Sequence, residues 1–401
     1  MYNDFHNIDL RNYMLRLLLS FFMGLVLIPA SATTFTLADE NTRIVGRNLV
    51  VYSHKEDTLL DIARQFDIGY SEIVNANQHL DPWLPGENQR VLVPNKFILP
   101  DAPHKGIVIN LAEMRLYYYP KIKKGQKQQV ITHPIGIGRE GWTTPLGKAR
   151  ITQKRKDPTW TPPASILAEH LEKGDPLPKV VPAGPDNPLG AYAMRLSIPG
   201  YLLHGTNRPF GVGMRVSHGC IRLFPEDIEQ LFGIVSVNTP VEIIYQPYKA
   251  ALDNDGALYL EAHETQDDMA RLEGSNMTPM VSAIIKAQDK ILEDDDWPFA
   301  EDVVRKQSGI VQRLNHKAGS NIIDNVWFVH AGLAQKVKLK LEMASTSLNL
   351  NDYFWPMQGA AEGEVLFGPF NSQDDANKMA LDANRLTNVS MWTTLVISDD
   401  L

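Results

Sequence analysis

The chain has 401 residues, of which 44% are hydrophobic and 21% charged, enough for two or three domains that each bury a core, so a peptide or a disulfide-knotted miniprotein is excluded. Its 27 glycines and 26 prolines are near ordinary usage and exclude a collagen-like or wholly disordered chain. The net charge of −8 argues against a dedicated nucleic-acid binder, whose affinity would come from a basic footprint.

Arg11 and Arg16 precede an apolar run, residues 17–30, and Ala30-Ser31-Ala32 follows with small residues at the two positions a signal peptidase reads. This order predicts a secretory signal over residues 1–32, cut after Ala32. The run of about 14 residues is short of the roughly 20 that cross a bilayer. No later run is long enough to span, so the expected product has no transmembrane segment and works outside the cytoplasm. The single cysteine, Cys220, cannot form an intrachain disulfide. It is inert core filler, a dimer link or a reactive thiol, and an oxidising compartment raises the odds of chemistry.

Residues 46–95 predict a short strand, two helices and a closing strand, a small α+β module. Asp57 or Thr58 caps a first helix with an apolar stripe of Leu59, Ile62, Ala63 and Phe66. Ser71 is expected to cap a second helix carrying Ile73, Val74 and Ala76, and residues 90–93 return as a strand before Pro94. Tyr52, Asp57-Thr58-Leu59, Ile62-Ala63, Asn75, Asn77, Gly86 and Val91-Leu92-Val93-Pro94 together resemble a LysM domain, although His54-Lys55-Glu56 stands where such domains usually carry a glycine. The resemblance implies binding of N-acetylglucosamine-containing glycan strands, with Asp57, Thr58, Asn75 and Asn77 as candidate contacts. The alternative is a purely structural cap on the next domain.

Residues 104–246 turn strand-rich, with branched and aromatic runs at 106–119, 128–138, 147–155, 201–206 and 239–245. They suggest a mostly β sandwich or barrel with one short helix over 225–232. Within YLLHGTNRPFGVGMRVSHGCIRLF, His204 and His218 precede Cys220 by sixteen and two residues. A thiol attacks carbonyls as thiolate, and an imidazole can take its proton and return it to a leaving amine. His204, at the end of an apolar strand, can reach across a sheet toward Cys220; His218 is less naturally aimed at the sulfur. Gly219 leaves room for substrate and for backbone N–H groups at an oxyanion, and Arg222 can present a fork to a carboxylate. A three-ligand zinc site from His204, His218 and Cys220, or an Arg222 paired with Glu226 or Asp227, are the competing readings.

Pro134-Ile135-Gly136-Ile137-Gly138-Arg139, Thr144-Pro145-Leu146-Gly147, Pro158-Thr159-Trp160-Thr161-Pro162-Pro163, Asn187-Pro188-Leu189-Gly190, His204-Gly205-Thr206-Asn207 and Ser217-His218-Gly219-Cys220-Ile221-Arg222-Leu223 resemble the L,D-transpeptidase, or YkuD, catalytic domain of periplasmic Gram-negative enzymes. The resemblance implies a β-rich fold and cleavage of the bond between meso-diaminopimelate and terminal D-alanine in a peptidoglycan tetrapeptide stem through a cysteine thioester. It implies Cys220 as nucleophile and His204 as base and later acid, with the Gly205 carbonyl orienting the imidazole. Ser217, His218, Gly219, Arg222, Thr206, Asn207 and Trp160 then belong to the substrate or oxyanion region. No metal, nucleotide or organic cofactor is implied. An amine acceptor gives a 3-3 crosslink or joins an outer-membrane protein lysine to the wall, whereas water gives a carboxypeptidase or a protein-releasing hydrolase. A non-catalytic wall-binding protein is the reading that needs no Cys220–His204 pair.

Residues 251–300 hold 12 acidic and 3 basic side chains, which predicts a solvated acidic linker or helical segment over 250–305. Residues 308–401 form an α/β C-terminal extension: strand, turn, amphipathic helix capped by Ser372, strand. Phe367-Gly368-Pro369-Phe370 and Ala376 faintly resemble the second half of a SPOR domain near 360–401, which implies binding of peptide-stripped glycan strands.

Overall fold

The structure is a computed structural model that describes residues 33–265, 277–314, 327–333, 364–370, 372–387 and 391–395. The expected signal, residues 1–32, lies outside them. In chain order, the first part contains β1 (Thr33–Thr36), β2 (Ile44–Gly46), β3 (Leu49–Tyr52), α1 (Leu59–Gln65), α2 (Tyr70–Ala76), β4 (Arg90–Val93) and β5 (Lys96–Ile98). The middle contains β6 (Gly106–Asn110), β7 (Arg115–Tyr119), β8 (Gln129–Pro134), β9 (Ile137–Gly138), β10 (Gly147–Lys156), α3 (Ala164–Glu172), β11 (Tyr192–Leu196), β12 (Leu202–His204), β13 (Arg215–Ser217), β14 (Ile221–Arg222), α4 (Pro225–Ile234) and β15 (Pro240–Ile244). The rest contains β16 (Tyr248–Leu252), β17 (Leu258–Ala262), α5 (Thr278–Gln288), α6 (Trp297–Lys306), β18 (Gln312–Arg313), β19 (Trp327–Leu333), β20 (Glu364–Phe370), α7 (Gln373–Thr387) and β21 (Trp392–Leu395).

A nine-stranded sheet in the order β1-β8-β7-β6-β15-β10-β11-β12-β14 forms the body of the molecule. Its central strands read as continuous apolar runs because both faces are covered. The two-residue period of a strand splits each run between two cores. Ile107, Ile109, Leu116, Tyr118 and Ile131 face the core that also holds Leu203, Ile221 and Ile228. Val108, Tyr117, Tyr119 and Val130 face the opposite core, shared with Leu59, Ile62, Phe66, Ile73, Val91 and Val93 of the N-terminal module. Each fully buried Leu or Ile contributes about 1.5–3 kcal/mol, so the second core fixes the module to the back of the sheet. Arg115, fully buried, adds a two-pronged ion pair with Glu72 at 2.8 and 2.9 Å. The sheet also begins earlier than residue 104, because β1 pairs with β8 in the register Thr33↔Thr132.

Thr58 caps α1 in a reciprocal box with Asp61. Ser71 does not cap α2: Gly69 is the N-cap, closed by the Glu72 carboxylate. Ser71 lies in the first turn, where its hydroxyl donates to the Gly213 carbonyl at 2.7 Å. Glycine is needed at 69 and 213 because a Cβ on Gly213 would stand 2.1 Å from Tyr70 N.

Of the two readings of the acidic stretch, the described residues take the helical one and add a hairpin. β16 and β17 form a hairpin joined by β18, and α5 and α6 pack Met280, Ile284, Ala300 and Val303 against Tyr248 and Leu260. Among the described acidic residues, Asp255, Glu264, Asp289, Glu293, Asp294 and Asp295 are exposed, whereas Asp296 and Glu261 are buried. Nor is the C-terminal segment a separate unit, because β20-β19-β21 continue directly into β3-β4 as one five-stranded sheet. Trp392, 1% exposed, inserts beside Phe66 with ring centroids 5.4 Å apart. α7 turns Ala376, Ala380 and Ala383 inward and begins at Ser372, whose hydroxyl accepts the Asp375 N–H. Among the described residues, no helix is long and apolar enough to cross a membrane.

Candidate active site

Strand β12 lies between β11, antiparallel, and β14, parallel, with Leu203 opposite Ile221 and His204 opposite Arg222. Residues in register on parallel neighbours point the same way. Leu203 and Ile221 are completely buried in the core; His204 and Arg222 therefore share the other face, and Cys220 stands at the entry to β14, next to the turn at Gly219.

The local sequence bends the chain for this purpose. Gly219 has φ of +99°, and a Cβ there would meet Tyr201 Cε1 at 2.9 Å. The buried Ser217 hydroxyl donates to the Cys220 carbonyl at 2.6 Å and accepts the Gly219 N–H at 3.1 Å. Thr144 donates to the Gly219 carbonyl at 2.8 Å. The Gly219 N–H is thus committed to Ser217, which removes it from the expected oxyanion donors.

Cys220 is half-buried, with Sγ 3.6 Å from the Gly200 carbonyl. Burial pushes the thiol up from its ordinary range, against the Leu202 N–H and the Arg222 and Arg195 guanidiniums, which favour thiolate. His204 is 4% exposed, and its Nδ1 lies 2.6 Å from the Gly205 carbonyl. A carbonyl only accepts, so Nδ1 carries the proton and Nε2 keeps its lone pair. Burial, and next the nearby Arg222 cation, depress His204 to about 3, against the Gly205 hydrogen bond. The resting pair is neutral thiol and neutral imidazole.

Arg222 does not pair with Glu226, which instead takes the Arg64 guanidinium of α1 at 3.0 Å on both prongs. The Arg222 Nε is buried without a hydrogen bond among the described residues, a donor available to an incoming acceptor. His218 turns away from the zinc-site geometry: its Nε2 is 2.9 Å from Glu169 and 3.1 Å from Arg139, and its ring meets Trp142 edge-on at 4.8 Å. Thr206 is buried and accepts the Arg208 N–H at 2.9 Å, and Asn207 donates to the Asp186 carbonyl at 3.2 Å. Trp160 forms a backbone bridge with Val181 in the segment following β10.

Sequence reasoning missed Arg139, Trp142 and Glu169 as neighbours of the motif. Pro162-Pro163 opens α3, with Ile166 buried beneath it. Its Glu169 joins Arg139 at 2.5 Å, Lys173 at 2.6 Å and His218. Hydrogen bonds from these side chains, Arg139 foremost, hold the Glu169 carboxyl well below the usual carboxylate range. Pro-Pro followed by a helix-forming run was the available signal.

The glycan candidates fare differently. Asn77 is buried, donating to the Ile73 and Leu92 carbonyls and accepting the Leu92 N–H. Asp57 accepts the Trp392 indole N–H at 2.9 Å and the His54 N–H at 2.8 Å. Both side chains are engaged in bonds within the fold. Thr58 is the helix cap, and Asn75 is half-buried on α2.

The family model of the L,D-transpeptidase catalytic domain, YkuD, matches residues 104–243. The chain is 42% identical over 292 residues to the probable L,D-transpeptidase YbiS of Escherichia coli K12, covering 71% of this chain and 93% of that protein. It is 45% identical over 242 residues to the probable L,D-transpeptidase YcfS of the same organism, covering 59% of this chain and 74% of that one. A solved structure, the catalytic domain of an E. faecium L,D-transpeptidase acylated by ertapenem, is similar at 25% identity and a TM-score of 0.26 over 36% of this chain and 100% of that domain.

Proposed function

The chain belongs to the L,D-transpeptidase family of cysteine-nucleophile acyltransferases, and on that basis we propose that it cleaves the meso-diaminopimelate–D-alanine bond of a peptidoglycan tetrapeptide stem in the periplasm and passes the acyl group to an amine. As Cys220 Sγ attacks the carbonyl carbon, His204 Nε2 takes the thiol proton. The oxyanion is received by the Cys220 N–H. When the C–N bond breaks, His204 returns the proton to the amine of D-alanine, leaving a thioester. An acceptor amine then attacks the thioester, loses a proton to His204, and Cys220 leaves as thiol. A diaminopimelate amine yields a 3-3 crosslink, and a lysine of an outer-membrane protein yields an attached protein. Arg222 offers its unbonded Nε–H to a carboxylate of the donor stem. The neutral resting pair makes proton transfer part of the attack.

The observation that carries this reading is the His204 ring, held by the Gly205 carbonyl with Nε2 keeping its lone pair, on a strand paired with β14, the strand that follows Cys220. Residues 46–95 act as a buttress of the catalytic sheet, supported by the core they share with it. Disaccharide-tetrapeptide incubated with and without a second stem separates the outcomes by mass. A dimer lacking one D-alanine is expected; tripeptide alone would make the protein a hydrolase, and products that survive Cys220→Ala would overturn the proposal.

A further inference from the structure

Behind the catalytic sheet, three buried titratable groups from distant parts of the chain converge. Asp67 follows α1, His133 lies on β8 and Asp227 lies on α4; they are 1%, 0% and 2% exposed, with atoms suited to hold a cation all within 4.8 Å of one another. His133 Nδ1 stands 3.5 Å from Asp227 Oδ2, and neither ring nitrogen makes a hydrogen bond among the described residues. Arg115 pairs with Glu72 and Arg64 with Glu226, and Arg64 also attracts Asp227. Two carboxylates thus meet at one imidazole in a dry site, where an added positive charge is favourable.

The first residue of β1 enters this cluster. Thr33 is 2% exposed, its backbone nitrogen lies 3.0 Å from Asp67 Oδ2, and its hydroxyl lies 3.3 Å from the same oxygen. Asp67 is held in place at a left-handed φ of 58°, with its carbonyl accepting Arg115 Nη2 at 2.8 Å. Thr33 is also the residue immediately after Ala30-Ser31-Ala32, where the sequence predicts removal of the signal.

We propose that the Ala32–Thr33 bond is the processing site and that the α-amino group it releases forms an ion pair with Asp67 in this cluster. Water, delivered by an export endopeptidase, adds across the amide: the C–N bond breaks, hydroxyl goes to the Ala32 carbonyl carbon, and the Thr33 nitrogen gains a proton. The free amine takes up a second proton near neutral pH. One neutral amide donor becomes an ammonium beside a buried carboxylate, and such charge-assisted bonds are roughly twice as strong as neutral ones. Because Thr33 is buried and paired within the sheet, cleavage precedes the docking of β1. Signal removal is thereby coupled to completion of the sheet that carries Cys220.

The test compares four proteins: residues 33–401 released from a fusion with Thr33 as the first residue, the same chain preceded by Gly-Ser, and each of these with Asp67→Asn. The Gly-Ser chain is expected to melt roughly 3–8 °C lower than the Thr33-start chain, with the difference largely lost in the Asp67→Asn background. In the folded Thr33-start protein the α-amine should resist acylation at neutral pH and react once unfolded, and N-terminal sequencing of the exported full-length product should begin at Thr33. Equal melting points, a difference that persists without the Asp67 carboxylate, a freely acylated amine, or a different first residue would each overturn the proposal. So would a stoichiometric bound metal whose chelation lowers the melting point of the Thr33-start protein.

Discussion

Two groups of buried polar side chains, one around Lys249 and one around Cys220, are built to opposite specifications. Beneath the sheet, Lys249 pairs with Glu113 at 2.7 Å and Glu261 at 2.9 Å and donates to the Ile98 carbonyl. Tyr117, Asn110, His263 and the Ile98 N–H fill the remaining carboxylate positions. Coulombic attraction to the two glutamates outweighs the burial of Lys249 and keeps its pKa raised. Around Cys220, by contrast, the thiol is raised and the imidazole lowered by burial, and the Arg222 Nε has no partner among the described residues. A satisfied network fixes β16 and β17 to the sheet. An unsatisfied one leaves donors and a lone pair for something that arrives later.

The comparison is broken most severely at His204. His204→Ala is expected to lower the rate of acyl transfer by about 10²–10⁴-fold with little change in melting temperature, measured by release of D-alanine. Lys249→Met should do the reverse, costing about 3–5 kcal/mol of unfolding free energy because two glutamates lose their buried counter-charge, with turnover per folded molecule retained; denaturant titration checks it. Comparable activity losses in both variants would erase the distinction.

Glu169→Gln sharpens the picture on the site's rim. Removing the carboxylate that gathers Arg139, Lys173 and His218 should change turnover by less than about tenfold, an exposed pair contributing about 0–1 kcal/mol. The smallest effect concerns pH. Because burial raises the Cys220 thiol, its iodoacetamide alkylation should keep rising past pH 9 with no plateau near 7, and a plateau below 7 would indicate a resting thiolate–imidazolium pair. His204, depressed to about 3, stabilises the fold fully above the imidazole's unfolded pKa near 6.5, and that contribution is lost as pH falls from there toward 3.

Much of the site was legible because its chemistry is local. The spacing of His204 and Cys220, the glycine at 219 and the arginine two residues on are consecutive features of one strand–turn–strand, and the sequence reading chose His204 over His218 for its place on a strand. α1, with its Thr58 cap, and the closing strand at 90–93 were legible for the same reason. The pairings that build the rest depend on contacts between residues far apart in sequence. Glu169 reaches His218 across 49 residues, and Trp392 reaches Asp57 across 335.

By itself, then, the amino-acid sequence pointed to a candidate nucleophile and base and to the β character of the domain, since strand period, glycine conformation and thiol chemistry act over a few residues. Only the tertiary structure decided that the two ends of the chain share one sheet, that the acidic stretch folds, and that Asn77 and Asp57 serve the core. Sheet edges and buried carboxylates are satisfied by whichever partners the fold brings near, and a linear pattern does not name those partners.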